Sequence, residues 1–246
     1  MREILADLVA EQQALDQLLQ RAPDRDWKTK TTATGWTVHD TISHLAWTEE
    51  HAKRAVHGDE SITTDFASYG SVDAFNQVGV EKGRLLRHQA VIEWWRFARA
   101  DVVDGLSRLQ RGDRIPWVGA SLSARTFATA RLMETWAHGL DIQRALEREI
   151  TDTPRLRHVS WLGWATLPWA FAQAGKEYHE PIRVELVGPS YARWIFGPEE
   201  SEQVVKGLAS DWCRVVVNRL DAADAGNLTA RGEVAEMALQ VARTYI

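Results

Sequence analysis

Cysteine is almost missing from this 246-residue chain, with Cys213 its single representative. One cysteine cannot close an internal disulfide, which fits a reducing compartment, and it cannot supply a thiolate metal cluster. Any metal site must then be built from histidine and carboxylate. An excess of basic charge is missing too. Lys and Arg total 29 against 34 Asp and Glu, a net charge of −5, and the two signs are interspersed. No basic stripe is available to neutralise a phosphate backbone, so nucleic acid is not an expected partner. No run reaches the roughly 18 apolar residues that a membrane span requires. Met1 to Gln20 reads as a charged amphipathic helix rather than a leader with an apolar run and a small-residue cleavage site. A soluble, cytoplasmic protein is expected. Repeats and low-complexity tracts are likewise not visible. Tryptophan, by contrast, occurs twelve times and points to a core or cleft built with large, flat, amphipathic side chains.

The periodicity predicts five helices first. Residues 2–21 place Ile4, Leu8, Leu15, Leu18 and Leu19 at helical spacing. Gly35-Trp36 leads into Thr37, with Asp40 three residues on in a capping-box arrangement, and Val38, Ile42, Leu45 and Ala46 carry a second helix to about Val56. A polar connection spans 58–71. Val72 to Leu109 reads as helical, with a break near Gly79 or Gly83, and 111–120 reads as a loop around Gly112, Pro116 and Gly119. Ser121 or Ser123 caps a long helix to about Glu147, and a fifth helix runs from Pro154 past Trp161, Trp164 and Trp169 to Ala174. Beyond Gly175, Ile182 to Val187 alternates apolar and polar, Gly188-Pro189-Ser190 makes a turn, and Tyr191 to Phe196 returns as a second strand. A third apolar stretch at Val204-Val205, a helix from Asp211 to Leu220 and another from Glu233 to Thr244 complete a small α+β unit. The chain is thus expected to be mainly α with a small α+β part, divided into residues 1–177 and 178–246.

Glu134 and His138 stand four apart on the long helix, so both side chains leave one face and can grip one ion. Such a pair also stabilises any helix surface. This one, however, lies among large apolar residues, where an unpaired carboxylate is costly to bury and a cation would offset that cost. His44 supplies a third vertex if the second helix packs beside the long one, with His51, nearly two turns later, and His39, near the helix start, as competitors. Two imidazoles and one carboxylate leave open coordination positions, as in catalytic zinc and non-haem ferrous sites. Asp141, one turn after His138, and Asp40, one turn before His44, could orient the imidazoles, although Asp40 reads better as plain helix-surface charge.

The segments Gly35-Trp36-Thr37-Val38-His39-Asp40-Thr41-Ile42-Ser43-His44-Leu45 and Glu134-Thr135-Trp136-Ala137-His138-Gly139-Leu140-Asp141 resemble the DinB-like metal-binding superfamily. Within it they are most similar to the branch containing mycothiol-dependent maleylpyruvate isomerase, and the long Ser121-to-Asp141 stretch looks like an actinobacterial sub-branch. The resemblance covers nearly the whole chain. It implies a four-helix bundle followed by a sterol-carrier-protein-like α/β domain. It also implies metal ligation by His44, Glu134 and His138, with Zn2+, or Ni2+ or Fe2+, as the ion and mycothiol as a thiol cosubstrate. An arginine of the C-terminal domain would hold a carboxylate substrate, for which Arg214 and Arg219 are candidates and Arg219 is preferred; Asp141 would act behind the ligands. The reaction so implied is isomerisation or thiolation of a small electrophilic substrate by a monomer or homodimer. Two alternatives stay open: hydrolysis by metal-bound water, and a non-catalytic metal-containing binding protein in which the tryptophan clusters wall a ligand.

Overall fold

The computed structural model describes residues 1–118 and 120–244, which fall into two compact units, Met1–Ile150 and Thr151–Ile246. The first unit holds α1 (Arg2–Gln20), α2 (Val38–Val56), α3 (Ile62–Ser68), α4 (Val72–Arg84) and α5 (His88–Ser107). It continues with β1 (Arg114–Trp117), β2 (Ala120–Ser123) and α6 (Ala124–Ala145). The second unit holds α7 (Leu156–Ala165), α8 (Leu167–Gln173), β3 (Arg183–Val187), β4 (Arg193–Phe196), β5 (Val204–Leu208), α9 (Ala209–Val216), β6 (Leu228–Arg231) and α10 (Glu233–Val241). The architecture is the expected one, helical first and α/β second. Among the described residues, no helix is long and apolar enough to cross a membrane.

Four long helices form the bundle, each packed on two others: α1 on α5 and α6, and α2 on the same pair. Local chemistry starts α2. The Thr37 hydroxyl accepts from the Asp40 amide at 3.2 Å while the Asp40 carboxylate accepts from the Thr37 amide at 3.0 Å, closing the capping box. Ser123, not Ser121, starts α6, its hydroxyl accepting from the Thr126 amide at 3.1 Å. The apolar faces of α1, α2, α5 and α6 meet in a core of Leu15, Leu19, Ile42, Leu45, Val91, Trp95 and Ile142. Full burial of a side chain as large as Trp95 contributes about 3 kcal/mol.

Several expectations are corrected by this packing. Gly79 and Gly83 do not break the helix that holds them. They let α4 approach α2, for a Cβ at Gly79 would lie 2.3 Å from the Trp47 ring and one at Gly83 would lie 1.9 Å from the Ser43 hydroxyl. The break comes instead at residues 85–87, between α4 and α5. The polar connection 58–71 contains α3, anchored by the buried pair Ile62 and Phe66 one turn apart. The stretch 111–120 is part of an antiparallel ribbon in which Ile115 pairs with Leu122, both buried; Pro116 fits because a two-stranded ribbon has an outer edge that needs no donor. Gly119 lies outside the described residues.

The compact units divide at Ile150 and Thr151, earlier than the 177/178 boundary suggested by the change of pattern after Gly175. The reason is that α7 packs on α9 and α8 on α10. Gly163 makes the first of these contacts close, since a Cβ there would lie 2.8 Å from Val216. The expected single helix to Ala174 splits at Thr166, just before Pro168 at the start of α8. The sheet has the order β4-β3-β5-β6, with the predicted β3–β4 hairpin antiparallel, β5 parallel to β3, and β6 antiparallel to β5. The strand β6 escapes sequence pattern, and both C-terminal helices end earlier than expected, at Val216 and Val241.

Candidate metal centre

The α2 and α6 helices carry the polar groups that their packing buries together. His44, from α2, and Glu134 and His138, from successive turns of α6, bring ligand atoms to within 4.8 Å of one another. Glu134 Oε2 lies 3.7 Å from His44 Nε2 and 3.5 Å from His138 Nε2. The two imidazoles meet edge to face with centroids 4.7 Å apart, and the Trp36 ring covers both, at 5.0 Å from His44 and 6.2 Å from His138. Trp36 is placed by the turn before α2, in which its amide donates to Ala33 and its carbonyl accepts from Thr31.

Burial sets the protonation states. It drives the His44 imidazole down to about 4, the fields of His138 and Arg131 working in the same direction against Glu134. Burial would raise the Glu134 carboxyl, but the two imidazoles and Arg131 hold it well below the usual carboxylate range. A neutral imidazole beside an ionised carboxylate is the state in which both ligate a cation. The spacing agrees as well. Two ligands each at about 2.1 Å from one tetrahedral ion stand about 3.4 Å apart, close to the 3.5 and 3.7 Å separations from Glu134. On donor chemistry and spacing, the three residues fit a divalent metal with positions left for an exogenous ligand.

Asp141 is fully buried behind His138, with Oδ2 3.5 Å from the Nδ1 atom and Oδ1 accepting from the Thr32 hydroxyl at 2.7 Å. His44 differs: its Nδ1 is buried without a hydrogen-bond partner among the described residues. The competing residues have other contacts. His51 Nδ1 lies 2.9 Å from the Trp47 carbonyl, and the ring packs on Trp47 and Phe75. His39 sets its edge against Trp27. Asp40 spends its carboxylate on the α2 cap and on Arg84, at 2.8 and 3.2 Å. In the second unit, Arg214 pairs with Asp152 at 3.0 Å, while Arg219 donates to the Val217 carbonyl at 2.7 Å. Sequence reasoning missed Arg131 and Glu49, both buried. Arg131 shares the helical stripe 131, 134, 138, 141 with the triad, a signal available in the spacing alone.

The sequence profile of the mycothiol maleylpyruvate isomerase N-terminal domain matches residues 8–143, a span that contains all three residues of the triad. The chain belongs to that family. Membership of the mycothiol maleylpyruvate isomerase N-terminal domain family bears out the resemblance drawn from Gly35–Leu45 and Glu134–Asp141. Uncharacterized proteins from two strains of Mycobacterium tuberculosis, CDC 1551 / Oshkosh and ATCC 25618 / H37Rv, are 37% identical over 247 residues, covering 98% of this chain and 94% of theirs. The crystal structure of the mycothiol-dependent maleylpyruvate isomerase is similar with a TM-score of 0.62 at 18% identity, over 93% of this chain and 92% of that one. A histidine-to-alanine mutant of that enzyme matches with a TM-score of 0.61 at the same identity and coverage. At that identity the likeness is one of fold.

Proposed function

We propose that the protein is a metal-dependent enzyme that binds a low-molecular-weight thiol, mycothiol, and uses it to isomerise or thiolate a small electrophilic substrate. The observation that carries the reading is the buried His44–Glu134–His138 cluster, whose spacing and protonation states suit one divalent ion, zinc foremost. The relatives' mycothiol and isomerase chemistry supports the choice of reaction class. When bound, such an ion lowers the pKa of a coordinated thiol and so supplies a thiolate near neutral pH.

This chain's own residues do the rest. His44, Glu134 and His138 hold the ion from two helices, and Asp141 fixes the His138 ring through Nδ1. Trp36 covers the imidazoles and limits water at the reacting sulfur. Arg219 is the proposed anchor for an acidic substrate, a task that suits a guanidinium.

The test is calorimetric titration of zinc-loaded and metal-stripped protein with mycothiol. Binding that requires zinc, and that His44→Ala and His138→Ala abolish together with zinc stoichiometry while the circular dichroism is retained, supports the proposal. Full zinc occupancy in either variant overturns the ligand assignment. No binding of mycothiol to the loaded protein overturns the thiol reading and leaves metal-activated water as the nucleophile to test.

A further inference from the structure

Two adjacent glutamates on α2 have opposite surroundings. Glu50 reaches outward, where its carboxylate accepts from Lys82 and from the Trp94 indole, each at 3.0 Å. Glu49 is fully buried, and neither carboxylate oxygen has a hydrogen-bond partner among the described residues. Taking such a group out of water without a partner costs several kcal/mol, so a native core keeps one only where something compensates for it or uses it.

The groups around Glu49 indicate the use. From α6, the Arg131 guanidinium is buried with Nε and Nη1 unpartnered, its outer side covered by the Trp117 ring at 5.1 Å. From α5, Arg99 pairs with Asp16 of α1 through one nitrogen and leaves Nη1 buried and unpartnered. The fields of both arginines and of Glu134 reach Glu49. Charge therefore alternates through the bundle interior, from Asp16 to Arg99, Glu49, Arg131 and Glu134. Glu49 is the middle member and the one whose oxygens are not held by a bond. Five residues beyond His44, it stands about 7.5 Å further along the same helix, a gap that one or two water molecules span. Burial, opposed by Arg131, brings its carboxyl up to about 7, where it exchanges a proton near neutrality.

Other acids and bases near the triad are already engaged. Asp141 is held by Thr32 and His138, Asp40 by Arg84 and the α2 cap, and His51 lies against the Trp47 carbonyl. We propose that Glu49 is the proton acceptor of the metal pocket, taking up the proton that a thiol gives up as it binds beside His44, Glu134 and His138. The inference rests on the thiol reading above. In the step, the S–H bond breaks, sulfur keeps the electron pair, and the proton forms an O–H bond on Glu49. No electron changes hands and no co-reactant is needed.

Counting protons tests this without any activity measurement. Mycothiol is titrated calorimetrically into the zinc-loaded, full-length protein at pH 7.5 in two buffers of different ionisation enthalpy. A free thiol, with a pKa near 8.5, sheds about one proton on binding as thiolate. The wild type is expected to release less than half a proton to the buffer, because Glu49 retains it. Glu49→Gln, with zinc content unchanged, is expected to release about one, and Glu49→Asp to return toward the wild-type count. Release of about one proton by the wild type itself, or an equal count in wild type and Glu49→Gln, overturns the role of Glu49 while leaving the thiol reading standing. Absence of mycothiol binding to the zinc-loaded wild type overturns both.

Discussion

Asp141 stands one turn beyond His138 on α6 with a carboxylate oxygen 3.5 Å from the imidazole Nδ1, and so controls which ring nitrogen faces Glu134. Thr32 holds that carboxylate from the other side at 2.7 Å. Removing such an orienting acceptor typically lowers metal affinity by about 10–100-fold. Asp141→Ala should therefore weaken zinc binding by that factor in competition with a chromophoric chelator, and Thr32→Val should weaken it less. Unchanged zinc affinity in Asp141→Ala would show that the His138 ring is oriented by packing alone.

Glu49 gives the metal-free protein a specific pH dependence. Its carboxyl is raised from an ordinary 4.5 to about 7 in the folded state. Below the unfolded value both states hold the proton and no penalty arises. Between about 4.5 and 7 the unfolded chain releases its proton while the folded chain keeps it, so stability falls as pH rises, by a total on the order of 3 kcal/mol, and levels off above. Glu49→Gln lacks this loss. Its melting temperature relative to wild type should climb between pH 5 and pH 8, and a difference that stays flat with pH would refute the assignment.

The contact of α4 with α2 should tolerate no side chain at Gly79. Alanine is the better helix former by about 1 kcal/mol, yet its Cβ would lie 2.3 Å from the Trp47 ring. Overpacking of that kind costs about 1–3 kcal/mol, so Gly79→Ala should lower the denaturation midpoint despite its higher propensity. A stabilised variant would mean that Trp47 moves aside without loss.

Cys213 should be chemically silent in the native state. Burial pushes its thiol up to about 12, and Sγ lies 3.2 Å from the Ser160 hydroxyl. With so little thiolate, Ellman's reagent should react with the denatured protein and not with the native one. Rapid native labelling would show that the core around α7 and α9 opens readily.

What was legible in the chain was local or strongly periodic. The Thr37–Asp40 box marks the start of α2 because a cap is a matter of a few consecutive residues. Glu134 and His138 declare themselves because four residues make one helical turn. Depth of burial is different. Glu49 looks like Glu50 on paper, and only the packing of α2 against α5 and α6 separates a surface carboxylate from a buried one. The ribbon β1–β2 was hidden by Pro116 and the flanking glycines, whose turn signals outweighed the short apolar alternation. The allegiance of α7 and α8 to the second unit likewise depends on contacts made some 50 residues later in the chain, such as Gly163 against Val216.

The triad draws on segments far apart in the sequence, His44 near the start of the bundle and Glu134 and His138 at its end. A cation seated there ties α2 to α6 and becomes a removable crosslink closing a long loop of chain. Its grip on the folded state alone shifts the unfolding equilibrium by mass action, so resistance to heat would follow the free metal concentration. The bundle would then serve as its own gauge of metal supply, sturdy when the ion is plentiful and more readily cleared by proteolysis when it is scarce.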